Sequence, residues 1–194
     1  MAMSDNIWWT RKAKICSEKR LLVNSFNTQV LLLWYSFCGV AVSIYHLNSA
    51  NGVSDVRGVT WVVFSVLIFG ISGFINGLSF KERATLIKEC YETLHGLYRR
   101  SVLDESDQSE IQKEYELVLG VCENHSDYDF FSAVCIEHWT HSNPTDPQFG
   151  LSIHPTTYMY AYVFTHRAFR VLLFLIFYLL PVALLGILEL RFCW

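Results

Sequence analysis

Cys122-x-x-His125 followed by Cys135-x-x-His138, with His141 and His154 downstream, is the one stretch of this chain whose residue types and spacing could do metal chemistry. Two such Cys/His pairs can present thiolate and imidazole to a tetrahedral zinc ion. The same residues also fit a packed helix, because Cys122 and His125 fall on an apolar seam where Cys acts as a small hydrophobe and His as a hydrogen-bonding core residue. Overlapping that pattern, Glu123-Asn124-His125 with Asp127 and Asp129 makes an acidic corner. Its carboxylates suit either the capping of a following helix or contact with a regulatory partner. The sequence holds no Gly-rich phosphate loop, no nucleophile elbow and no His-Glu-x-x-His. An enzyme is not expected, and neither a cofactor nor a metal is assigned.

The elements that must position this corner are set by three long uncharged stretches, Val30–Leu47, Val59–Leu78 and Val171–Leu188. A hydrocarbon core about 30 Å thick needs roughly 20 apolar residues of helix. Arg, Lys or Asp at a helix centre costs about 2.5–3.5 kcal/mol on insertion scales, and all three stretches lack them. The expected fold is therefore an all-α membrane protein with two N-terminal transmembrane helices, a cytoplasmic helical hairpin and a third, C-terminal transmembrane helix. Residues 1–28 read as a basic helix lying in the interface, opened by Trp8 and Trp9. Residues 29–79 form the transmembrane hairpin, 80–155 the cytoplasmic helical domain, and 156–194 a final helix that enters and spans the membrane, kinked at Pro181.

Orientation follows from the basic residues. Five of the fifteen Lys and Arg precede the first span (Arg11, Lys12, Lys14, Lys19, Arg20), and eight lie between the second and third (Lys81, Arg83, Lys88, Arg99, Arg100, Lys113, Arg167, Arg170). The positive-inside rule places the N-terminus and residues 79–167 in the cytoplasm and the C-terminus outside. The net charge of −3 is too small an imbalance to imply nucleic-acid binding. Of the six cysteines, Cys16, Cys90, Cys122 and Cys135 then face a reducing compartment, so no structural disulfide is expected.

Past the second span, Phe80, Ala84, Ile87, Tyr91, Leu94 and Tyr98 repeat at steps of four and three, which predicts one unbroken helix from about Gly58 to Arg100. Asp107 and Glu110 resemble a cap with its reciprocal partner. The return helix carries Ile111, Tyr115, Val118, Cys122 and His125 at the same steps, so the two seams zip as an antiparallel hairpin. Asp127 opens a third short helix. Tyr158, Tyr160, Tyr162 and Phe164 make either an interfacial belt or a binding platform.

Within the second span Ser65, Ser72, Asn76 and Ser79 share one face, and Gly70, Gly73 and Gly77 share another about 120° away at roughly 100° per residue. Ser36 and Ser43 in the first span are also seven apart. Such stripes serve either as the lining of an oligomeric pore or simply as surfaces where helices approach closely. No acidic residue occupies a span centre, which argues against a transporter.

The order of basic helix, two spans, Phe80-Lys-Glu-Arg-Ala-Thr-Leu-Ile-Lys-Glu-Cys-Tyr-Glu-Thr-Leu, then Tyr115 and Cys122-Glu-Asn-His-Ser-Asp-Tyr-Asp129, resembles the SLATT superfamily of bacterial membrane effectors. The Glu-Asn-His-Ser-Asp run and the third span look most like the branch associated with reverse transcriptases in retron-type anti-phage systems. The resemblance implies a toxic effector at the bacterial inner membrane. It is held silent by a partner and, on release, oligomerises with itself in the lipid bilayer and permeabilises it, as in abortive infection. The implied partner is a reverse transcriptase with its RNA–DNA product, or alternatively a nucleotide second messenger. A non-conducting scaffold or sensor, whose cytoplasmic hairpin recruits a partner, is the competing reading.

Overall fold

The computed structural model describes residues 3–48, 55–103, 108–146 and 150–192. They form six helices: α1 (Met3–Asn48), α2 (Asp55–Gly77), α3 (Phe80–Leu103), α4 (Gln108–Val121), α5 (Asp127–Thr140) and α6 (Thr157–Phe192). No strand occurs among the described residues, and three helical stretches are long and apolar enough to cross a membrane. The chain divides into two units: residues 1–23 with 80–168, and residues 24–79 with 169–194. Asp107 and most of the Asn48–Gly58 connection lie outside the described residues, as does Cys193.

In the first unit the N-terminal part of α1 is a central helix. Ile7 packs with Cys90, Leu94, Leu97 and Ile111, while Leu21 packs with Ala84 and Ile87. Within the stretch expected to lie at the lipid surface, Ile7, Trp9, Ala13 and Leu21 are buried against protein, while Leu22, Val23 and Phe26 are exposed. The α1 helix runs 46 residues without interruption, where the sequence expectation has a separate interfacial helix ending near residue 28. Nothing between Thr10 and Asn48 breaks it, since this stretch has one glycine, Gly39, and no proline.

Packing α1 against α3 also shifts the α3 seam. Ala84, Ile87, Cys90, Leu94, Leu97 and Ser101 are buried, whereas the expected Phe80, Tyr91 and Tyr98 sit half-buried at its border. With α1 as well as α4 to contact, the buried arc of α3 centres between its two neighbours and away from the edge that carries the aromatic rings. The α3–α4 pair is antiparallel as expected: Arg100 reaches Glu114, Cys90 meets Cys122, and Arg83 reaches Glu123. Cys90 and Cys122 are joined by a disulfide, contrary to the expectation of free thiols.

The predicted unbroken helix from Gly58 to Arg100 does not form. It is interrupted at Leu78 and Ser79, whose N–H groups turn back to the carbonyls of Ile75 and Asn76 at 3.2 Å each. Ser79 takes a φ of 45°, a left-handed conformation that stops an α-helix. The apolar period carries across the break because α3 resumes at the very next residue, so periodicity alone cannot reveal it.

In the second unit Pro181 lies inside α6. Proline has no N–H to give the carbonyl four residues earlier, which is that of Phe177. In hydrocarbon an unpaired carbonyl is costly, because no water is present to replace the lost donor. Here the Tyr35 hydroxyl donates to the Phe177 carbonyl at 2.9 Å, and Trp34 Nε1 donates to the next one, Tyr178, at 3.0 Å. Tyr35 in turn stacks on Phe64 of α2, centroids 6.0 Å apart. The first helix therefore supplies a donor in place of the N–H that Pro181 lacks.

Replacing Tyr35 by Phe should destabilise the membrane unit by about 0.5–1.5 kcal/mol. The loss should shrink toward zero in a Pro181→Ala background, where the substitution restores the missing N–H. Detergent unfolding of the four proteins in this cycle measures the coupling; equal losses in both backgrounds would show that the Phe177 carbonyl is not what Tyr35 serves.

Candidate functional site

The turn between α4 and α5 gathers charge from two other helices, α1 and α3. Ser126 caps α5: its hydroxyl accepts from the Asp129 N–H at 3.4 Å and the Asp129 carboxylate accepts from the Ser126 N–H at 3.1 Å. The expected cap, Asp127, is one residue inside the helix. Asp129 has no exposed surface, and an ionised carboxylate so placed needs a counter-charge. Arg20 of α1 provides it in a forked contact, Nε to Oδ1 at 2.8 Å and Nη2 to Oδ2 at 2.9 Å.

Glu123 is held from both sides. Arg83 of α3 makes a forked contact with its carboxylate, and the buried Lys14 ammonium of α1 donates to its main-chain carbonyl. The Arg83 hydrogen bond holds the Glu123 carboxyl below its usual range. Burial pushes the Lys14 ammonium down, opposed by the charge of Glu123. His125 lies against Phe130, ring centroids 6.2 Å apart, and its Nδ1 is buried without a hydrogen-bond partner. Burial and then the Lys14 charge lower its pKa, against the opposing pull of Asp129 and Asp127.

Of the five corner residues, Asp129 is buried and His125 half-buried, Glu123 is held by Arg83 while remaining exposed, and Asn124 and Asp127 are exposed. The cations that organise the corner, Lys14, Arg20 and Arg83, have no place in the motif itself. Their one sequence signal is that Lys14 stands seven residues from both Ile7 and Leu21, on the stripe that turns out to be buried. Further along, Lys12 reaches Glu137 at 2.7 Å, so α1 and α5 run antiparallel.

Cys122, His125, Cys135 and His138 are not gathered around one point; Cys122 is bonded to Cys90, and His138 Nδ1 meets the Tyr160 hydroxyl at 3.2 Å. Among the described residues no three His, Cys, Asp or Glu side chains converge as a metal site. Of the aromatic residues before the third apolar stretch, Tyr162 lies edge-on to Phe131 of α5 and Tyr160 stacks on Trp139, while Tyr158 and Phe164 are exposed.

The residues striped along the spans have a different situation. Ser36 and Ser43 donate to the carbonyls of Leu32 and Gly39, one turn back in their own helix. Ser65, Gly70, Gly73, Asn76 and Gly77 are exposed, and Ser72 is half-buried. A Cβ built on Gly70, Gly73 or Gly77 meets nothing within 4 Å. These glycines are not consumed by packing within one chain.

Apolar helices long enough to span a bilayer, joined to a polar helical unit knit by ion pairs, define a helical membrane protein. The chain belongs to the SMODS and SLOG-associating 2TM effector domain family 5, SLATT_5, which it matches over residues 1–187. The family description counts two transmembrane segments, and α6 here adds a third apolar helix of sufficient length. No curated protein and no solved structure matches the chain.

Removing Arg20 leaves the Asp129 charge buried and unpaired, so Arg20→Ala should cost about 3–5 kcal/mol of stability. Arg83→Ala breaks a pair whose partners are 37% and 43% exposed and should cost less than about 1 kcal/mol. Chemical unfolding of the detergent-solubilised chain, followed by tryptophan fluorescence, ranks the two; the reverse order would mean that Asp129 is neutralised some other way.

Acid should weaken the same unit through His125. Its folded pKa lies below the unfolded value, so the unfolded chain takes up the proton first and stability falls as pH drops below about 6.5. The Glu123 contribution is present above the unfolded carboxylate pKa and disappears only at lower pH, below about 4.3. Melting curves between pH 7.5 and 5 should therefore slope for the native chain and flatten for His125→Gln, as expected on the order of one titrating group.

Proposed function

We propose that this protein is a toxic membrane effector of an anti-phage defence system, restrained by a partner and released to oligomerise and permeabilise the bacterial inner membrane. The observation that carries the reading is the open face of α2. Gly70, Gly73 and Gly77 recur at three and four residues with nothing packed over them, which is the surface a second transmembrane helix needs for close approach. Asn76 is exposed on the neighbouring face and, in an assembly, turns a polar group toward another subunit or water. Membership of an effector family supports the same direction.

In this reading the unit of residues 1–23 and 80–168 is cytoplasmic and is the part a restraining partner grips. A reverse transcriptase with its RNA–DNA product is one such partner and a nucleotide second messenger the other. The corner offers that partner Asn124 and Asp127, because Glu123 and Asp129 are already committed to Arg83 and Arg20. Restraint passes to the spans through α1 and α6, each of which contributes to both units, and not through the α2–α3 junction, which is interrupted at Ser79. Shifting a population from 1:99 to 99:1 requires about 5.5 kcal/mol of differential binding, within the range of an ordinary protein interface.

A specific observation favours the second reading, a non-conducting scaffold or sensor. Ser36 and Ser43 satisfy their hydroxyls within α1, so neither requires water or a pore. Ion leakage separates the two. Induced without its partner, the protein should depolarise the inner membrane within minutes and arrest growth, read with a potential-sensitive dye. Gly73→Leu with Gly77→Leu should abolish both at equal expression. A chain that reaches the membrane and leaves the potential unchanged is a scaffold.

A further inference from the structure

Cys90 lies in the core between α1, α3 and α4 and is 4% exposed. Cys122 is half-buried immediately after α4. Their Cα atoms are 6.3 Å apart, within the roughly 4.4–6.8 Å that a disulfide spans. Arg83 stands seven residues, two turns, before Cys90 on the same face of α3, and Glu123 directly follows Cys122. The covalent bond and the Arg83–Glu123 pair therefore tie the same two stretches together. Both converge on the segment whose carbonyl receives Lys14.

Thirteen of the fifteen Lys and Arg flank the apolar stretches on this side, the side that retention by the positive-inside rule leaves in the cytoplasm. There, thiols are kept reduced and a disulfide persists only as a transient or sensing bond. We propose that Cys90 and Cys122 are a reversible oxidation site, a dithiol that a low-molecular-weight disulfide closes to clamp the α4 end onto α3 and that reduction reopens. This rests on the cytoplasmic placement only for its physiological setting, since the chemistry belongs to the pair itself.

The more accessible Cys122 reacts first. Its thiolate attacks one sulfur of oxidised glutathione, breaking that S–S bond and expelling one glutathione thiolate. The Cys90 thiolate then attacks the Cys122 sulfur, forming the Cys90–Cys122 bond and expelling the second glutathione thiolate. The two protons lost by the cysteines end on the two glutathiones. Two thiols are oxidised and one external disulfide is reduced. With the bond open, the turn at residues 123–126 keeps only its ion pairs and hydrogen bonds to α1 and α3, so this end of α4 opens locally more often.

The test uses the full, unaltered chain in membranes, equilibrated at a series of reduced-to-oxidised glutathione ratios, acid-quenched, differentially alkylated and read by mass spectrometry at the Cys90 and Cys122 peptides. The two cysteines should lose and regain alkylation together, with a single midpoint inside the series. Amide exchange at residues 118–126 should be about tenfold faster in the reduced form. Alkylation of both cysteines at every ratio would overturn the proposal, as would protection of both at every ratio, which marks a permanent structural bond. A separate Leu117→Cys probe, at a site 70% exposed, in a chain whose other cysteines are Ser, reports sidedness. Labelling by an impermeant maleimide in intact cells would refute the cytoplasmic placement while the titration still decides whether the pair is reversible.

Discussion

The buried carboxylate of Asp129 constrains much of the polar unit. A charge with no exposed surface must be matched where it lies, and the match comes from Arg20, more than a hundred residues earlier in the chain. That single requirement holds α1 along α5. Once α1 is there, Lys14 is buried beside the turn at Glu123, Ile7 and Leu21 enter the α3–α4 core, and the Lys12–Glu137 pair falls into register. The capping box at Ser126 uses the same carboxylate to start α5, so one side chain sets both the beginning of a helix and its tertiary partner.

The membrane unit obeys the same rule with neutral groups. Pro181 deprives a carbonyl of its donor, and Tyr35 with Trp34 makes good the loss from a neighbouring helix. Hydrocarbon offers no water to take over, so Pro181 and the donors from α1 are one arrangement. This ties the third apolar helix to the first and makes it a constituent of the unit in a family whose description counts two transmembrane segments.

These internal commitments narrow where function can reside. In the corner Arg20 and Arg83 engage Asp129 and Glu123, leaving Asn124 and Asp127 for a partner, and the glycine face of α2 is untouched by packing. In the acidic run Asp129 is buried as part of the architecture, while Glu123, Asn124 and Asp127 keep exposed surface, as does the small-residue stripe of α2. The pairing of Cys90 with Cys122 gives the corner a covalent tie beside its electrostatic ones.

Much of this was legible in the residues alone. Apolar length and the absence of charge marked the three spanning helices, because insertion energy depends on local composition. Steps of three and four marked the α3–α4 hairpin, with Ile111, Tyr115, Val118 and Cys122 on the seam, because side-chain direction follows from helix geometry. What tertiary structure alone decided is where elements distant in sequence meet. The partners of Asp129 and Glu123, the burial of Ile7, Trp9, Ala13 and Leu21 against the rest of the polar unit, and the meeting of Cys90 with Cys122 all arise from contacts that no local pattern records. The break at Ser79 also escaped the pattern, because a one-residue left-handed turn interrupts hydrogen bonding without disturbing the apolar period around it.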